Sequence, residues 1–151
     1  MANVHSYHSN HKLVLLLPPA DQGDLNTAWV EPFADGGSAE RAVFEIVVGT
    51  AGANLDMKLT QATSSGGAGA KDITGAAITA ITTTTDLCIK TIEIGPGAMD
   101  DKNGFKWVRA EVLVAGASTA VYSVTLIKHR LRYPGTGTQD ATYSEQVVVL
   151  G

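Results

Sequence analysis

The chain of 151 residues is 44% hydrophobic and 17% charged, with 16 Gly and 5 Pro; this suits one compact domain and excludes both a disordered tract and a collagen repeat. A net charge of −4, from 11 Lys and Arg against 15 Asp and Glu, is the opposite of the basic footprint of a phosphate-backbone binder, so no nucleic-acid partner is expected. Cys88 is the single cysteine, which leaves no intrachain disulfide and assigns the stability to hydrophobic burial.

In chain order, Met1 to His11 is polar and His-rich with no apolar period, the pattern of a terminal arm. His5, His8 and His11 are spaced three apart, which on a helix would align them for one metal ion. The arm has no helical signature, so it reads as a solvated segment and no metal site is expected. The run Lys12-Leu13-Val14-Leu15-Leu16-Leu17 stops at Pro18-Pro19. It is too short for a secretory apolar region or a membrane span and is expected to be a buried strand. Asp21 to Ala39 carries Gly23, Pro32, Gly36 and Gly37 and reads as an irregular, extended lead-in. The expected division is therefore an arm and lead-in over 1–39 and a regular domain over 40–151.

From Glu40 onward the apolar period is two. Phe44, Ile46 and Val48 share one face, and Leu55-Asp56-Met57-Lys58-Leu59-Thr60 alternates without exception, so both are strands, expected to pair around Gly49-Thr50-Ala51-Gly52. Asp86 to Ile94 places Cys88, Lys90, Ile92 and Ile94 on one face. Lys106 to Val114 places Val108, Ala110, Val112 and Val114 on a core face, and Ala120 to Ile127 does the same through Ala120, Tyr122, Val124 and Leu126. Gly95-Pro96-Gly97 and Asn103-Gly104 are turn signals, and Ala115-Gly116-Ala117-Ser118 reads as a hairpin turn. Glu145 to Leu150 adds a last strand whose edge needs a partner. The fold expected is all-β: an antiparallel sandwich or jelly-roll-like single domain with an extended N-terminal arm.

No catalytic residues are assigned. The glycine-rich Ser64 to Lys71 stretch ends in Lys71 but lacks the Walker order, because Ala70 precedes Lys71 and Asp72 follows it, so it reads as a mobile connection. Met99 to Gly104 resembles a calcium loop only in its acidity and reads as a polar turn, and no cofactor is expected. Cys88, between Leu87 and Ile89, reads as a buried inert thiol. His129-Arg130-Leu131-Arg132-Tyr133-Pro134 is the densest basic spot, and Arg130, Arg132 and Tyr133 are favoured interface chemistry. An intramolecular ion pair of this spot with Glu111 or another acid is the alternative. Trp29, Trp107, Tyr133 and Tyr143 would make an aromatic sugar platform if exposed, although their more ordinary place is in packing or an interface.

The stretch Leu55-Asp56-Met57-Lys58-Leu59-Thr60-Gln61-Ala62-Thr63, a Gly-rich loop, Lys71-Asp72-Ile73-Thr74-Gly75-Ala76-Ala77, Gly104-Phe105-Lys106-Trp107-Val108-Arg109 and a late Arg132-Tyr133-Pro134 resemble the head decoration, or cement, proteins of tailed bacteriophages. The resemblance spans roughly Val43 to Pro134. It implies a non-enzymatic β-rich virion protein, made in the host cytoplasm and bound to the outer surface of an icosahedral capsid as a homotrimer bridging major capsid subunits. Val4, Tyr7, His8 and Lys12 in and beside the arm, with Arg130, Arg132 and Tyr133, are the expected interface residues. The alternative is a spike or tail-associated β-sandwich that recognises a host glycan.

Overall fold

The computed structural model describes residues 11–34, 40–83, 87–116, 118–129 and 143–149. They form nine strands: β1 (His11–Gln22), β2 (Leu25–Asn26), β3 (Arg41–Ala51), β4 (Leu55–Ala62), β5 (Lys71–Ala77), β6 (Cys88–Ile94), β7 (Trp107–Val114), β8 (Ala120–His129) and β9 (Tyr143–Val149). A five-stranded sheet has the order β1-β8-β3-β6-β9 and a four-stranded sheet the order β2-β7-β4-β5. In the first eight strands, β1 pairs β8, β2 pairs β7, β3 pairs β6 and β4 pairs β5. This is one long antiparallel ribbon folded over on itself into two facing sheets, the jelly-roll arrangement of a sandwich.

The alternation read from the sequence decides what faces the core. Phe44, Ile46 and Val48 of β3, Leu55, Met57 and Leu59 of β4, Ile92 and Ile94 of β6, Val108, Ala110 and Val112 of β7, and Tyr122, Val124 and Leu126 of β8 are all buried between the sheets. Cys88 is buried and reduced. Lys90, on the same inward face of β6, is buried too, because its Nζ donates to the Thr79 carbonyl at 2.8 Å and the Thr79 hydroxyl at 2.9 Å. A buried ammonium is tolerated only with such acceptors.

Five expectations are corrected here. The sheets begin at His11 and not near Glu40, because β1, inside the expected lead-in, pairs along its length with β8. The Leu13–Leu17 strand is not buried: β1 is the outermost strand of its sheet, with Val14 and Leu16 turned to the core edge while Leu13 and Leu15 stay 53% and 60% exposed. A continuous apolar run has no period that distinguishes an edge from a centre. Neither the turn at 49–52 nor that at 115–118 makes a hairpin, since β3 and β4, like β7 and β8, lie in opposite sheets. Finally, β9 pairs with β6 in parallel, so the sandwich is not wholly antiparallel.

The corner from β1 to β2 is fastened by Tyr122. Its buried hydroxyl donates to the Gly23 carbonyl at 2.7 Å, and the Gln22 amide donates to the Tyr122 carbonyl at 3.0 Å. Burial, helped by Asp24, pushes the phenol up to about 12 from 10.0. Between these values the folded chain keeps a proton that the unfolded chain releases, so stability present below about pH 10 falls as pH rises toward about 12, by up to about 2–3 kcal/mol. Tyr122→Phe is expected to lose about 1 kcal/mol at neutral pH and to show a shallower alkaline decline. Urea midpoints of both proteins on either side of that window check this, and parallel declines would refute it.

Candidate interaction surface

The outward face of the five-stranded sheet is the mixed apolar surface of the molecule. Register aligns Leu13 of β1, Ile127 of β8, Val43 of β3, Glu93 of β6 and Val148 of β9 in one row across it. Leu15, Thr125, Glu45 and Thr91 form the next row, and Val47 and Ile89 follow. Leu13, Leu15, Val47, Val121 and Val148 remain exposed, while Arg41 Nε and Glu93 form an ion pair at 3.2 Å. At the far corner Leu87 is 75% exposed with φ +53°, a left-handed backbone that costs a branched residue energy. Its amide donates to the Gly49 carbonyl at 3.1 Å. Apolar groups clustered on one sheet face are the usual mark of a contact surface.

Of the expected interface residues, Val4, Tyr7, His8, Arg130, Arg132 and Tyr133 lie outside the described residues. Lys12 is placed: exposed in β1, opposite Lys128 of β8. Lys128 Nζ donates to the Glu31 carbonyl at 2.9 Å. Glu111, one acid considered as a partner for the basic spot, accepts from Arg109 at 2.6 and 3.1 Å and from Thr60 at 3.2 Å, with Lys58 at 3.6 Å. The apolar rows on the sheet, rather than the basic spot, were what sequence reading missed. The signal was there in the outward residues Val43 and Val47 of an otherwise alternating strand.

The outer face of the four-stranded sheet is polar apart from the exposed Leu113 and carries its own ion pairs. Lys58 joins Asp72 at 2.8 Å, and its ammonium is held above its usual value chiefly by the hydrogen bond to Asp72. Trp29 is contacted by two groups. The Arg109 guanidinium lies 4.6 Å from its ring centroid, and the Gly67 backbone packs so closely that a Cβ there would sit 2.8 Å from the indole nitrogen. With φ +82° at Gly67 as well, only glycine fits this contact. Trp29 therefore holds the 63–70 turn against the sheet, and Arg109 covers one face of its half-buried ring. Trp107 is half-buried, Tyr133 lies outside the described residues, and Tyr143 opens β9.

The glycine-rich turn between β4 and β5 closes on itself and is not the mobile connection expected. Thr63 N–H and Oγ1 both donate to the Ala68 carbonyl, Ala68 N–H to Ser64 Oγ, and Gly67 N–H to the Ser64 carbonyl. Those amides point inward to the turn rather than toward an anion. At Asp100, the Lys71 ammonium and the Asn103 amide both donate to the carboxylate, while its backbone N–H donates to Gln61 Oε1 at 2.8 Å. Lys71, then Asn103, hold that carboxyl below its usual range. Lys71 also lies 4.2 Å over the Phe105 ring. Oxygens engaged by donors make a polar turn, and among the described residues no three His, Cys, Asp or Glu are grouped to hold a metal ion. No helix in the described residues is long and apolar enough to cross a membrane.

Fold and surfaces together define a single-domain jelly-roll sandwich with one outer face of mixed apolar character and one largely polar, cross-linked face. No protein-family model, no curated protein and no solved structure matches the chain.

Proposed function

We propose that this protein is a structural component of a tailed-phage head, binding the outer surface of the icosahedral capsid as a trimer and bridging major capsid subunits. The observation that carries the reading is the apolar outer face with Leu13, Leu15 and Val47 exposed on it, a surface that needs a partner. The segments that resemble the decoration proteins supply the rest of the support, from Leu55 through the β4–β5 turn to the start of β7. Such a protein stabilises a shell by binding assembled subunits better than separated ones, which shifts assembly by mass action. A three-fold cluster multiplies modest contacts through high effective concentration.

Mass spectrometry of purified virions from the encoding phage tests the reading. A copy number comparable to that of the major capsid protein is expected. A few copies per particle would point to a spike or tail component, and absence would overturn the structural role. On heads, deletion of residues 1–10 is expected to weaken attachment with the β domain still folded, and Arg130→Ala with Arg132→Ala to weaken the trimer or its seating. Unchanged occupancy in both would remove the arm and the basic spot from the interface.

A further inference from the structure

His129 ends β8 on the outward face of the five-stranded sheet, in register with His11 of β1 on one side and Arg41 of β3 on the other. Although it points away from the core, it is only 8% exposed, and its Nδ1 has no hydrogen-bond partner among the described residues. Its ring stacks on His11, with centroids 5.6 Å apart and planes 24° apart. Its carbonyl accepts the Glu40 N–H at 3.2 Å. The charged and titratable groups that act on this ring are Glu93 from β6, His11 from β1 and Arg41 from β3, while Lys12 and Lys128, next in sequence to His11 and His129, alternate to the other face of the sheet. Arg41 engages Glu93, and Lys128 reaches away to Glu31. A proton on His129 would therefore place a positive charge between His11 and Arg41, in a site largely shut off from water.

We propose that the His11–His129 contact is an acid-released fastening of the first strand. With His129 unprotonated, β1 is held along its length; protonation of His129 opens the end of β1 that carries His11, Leu13 and Leu15. The proposal concerns the chain's own fold and stands whether or not the capsid reading does. Burial holds the His129 imidazole below the histidine value of 6.5, an effect that Glu93 opposes and that His11 and Arg41 reinforce. The fold therefore prefers the unprotonated ring. The stability it contributes is complete above pH 6.5 and is lost as pH falls through the folded-state value. Opening is local, because among the described strands β1 is an edge strand with a partner on one side only.

Amide hydrogen exchange on the full chain, expressed as protection factors between about pH 7.5 and about pH 5, tests this. Protection at Leu13 to Leu15 is expected to fall about tenfold for each pH unit by which the His129 midpoint lies below its ordinary value, while amides of β3 and β4 hold. His129→Phe keeps a flat ring without a titrating nitrogen and is expected to abolish the pH dependence. His11→Phe keeps the stack and is expected to reduce it. An NMR titration of His129 in the unaltered protein provides a readout independent of whether the variants fold. An ordinary midpoint, or a fall in β1 protection that persists in His129→Phe, would overturn the proposal.

Discussion

Phe44→Ala is expected to lower the stability of the folded chain by about 3–5 kcal/mol. Phe44 sits mid-strand in β3 with Ile92 of β6 and Leu126 of β8 directly across from it in register, and all three side chains have no exposed surface. Central strands bonded on both sides cannot close in to fill the space, so the cavity term adds to the lost burial. Set against a total of about 5–15 kcal/mol, this single change removes a large share of the margin. Val47, three residues along on the outward face of the same strand, is the internal control. Val47→Ala is expected to fall within about 0.5 kcal/mol of the unaltered protein. Urea unfolding followed by near-ultraviolet dichroism measures both, and similar midpoints for the two variants would contradict the placement of the core.

Gly52→Ala and Gly104→Ala separate close approach from backbone conformation. At Gly52 a Cβ would lie 2.4 Å from the Thr119 carbonyl oxygen, at the corner where the chain passes from β3 to β4 beside the one where it passes from β7 to β8. Both neighbours are backbone, so the corner itself must shift. The expected loss is about 1–3 kcal/mol. At Gly104 nothing lies within 4 Å, but φ is +79°, and alanine there costs about 1 kcal/mol through conformation alone. Asparagine tolerates that conformation, so Gly104→Asn is expected to recover most of the loss, whereas Gly52→Asn is not. Thermal midpoints of the four variants check the pattern, and recovery at position 52 would remove the steric account.

The candidate surface was only partly legible. A residue type favoured at interfaces, such as Arg132 or Tyr133, is visible in any sequence, but the apolar rows exist only once β1, β8, β3 and β6 are laid side by side. Trp29 shows the converse. The sequence left it as either a sugar platform, if exposed, or a packing residue, and the fold brings Arg109 and the Gly67 backbone onto it. His129 likewise read as one residue of a basic stretch, and only its register with His11 makes it a buried pair.

By itself the sequence determined the class of the fold and the inward face of nearly every strand, because a period of two assigns alternate side chains to opposite sides wherever a backbone is extended. Phe44, Met57, Val112 and Val124 were placed correctly on that ground alone. Which strands pair was decided by the tertiary structure. Only β4 and β5 are joined by a hairpin and also adjacent, while β1 meets β8 and β2 meets β7 across most of the chain. Alternation is a property of one strand and is written locally. Partnership depends on which two faces can be closed over a common core, and that choice is settled by contacts between residues far apart in sequence.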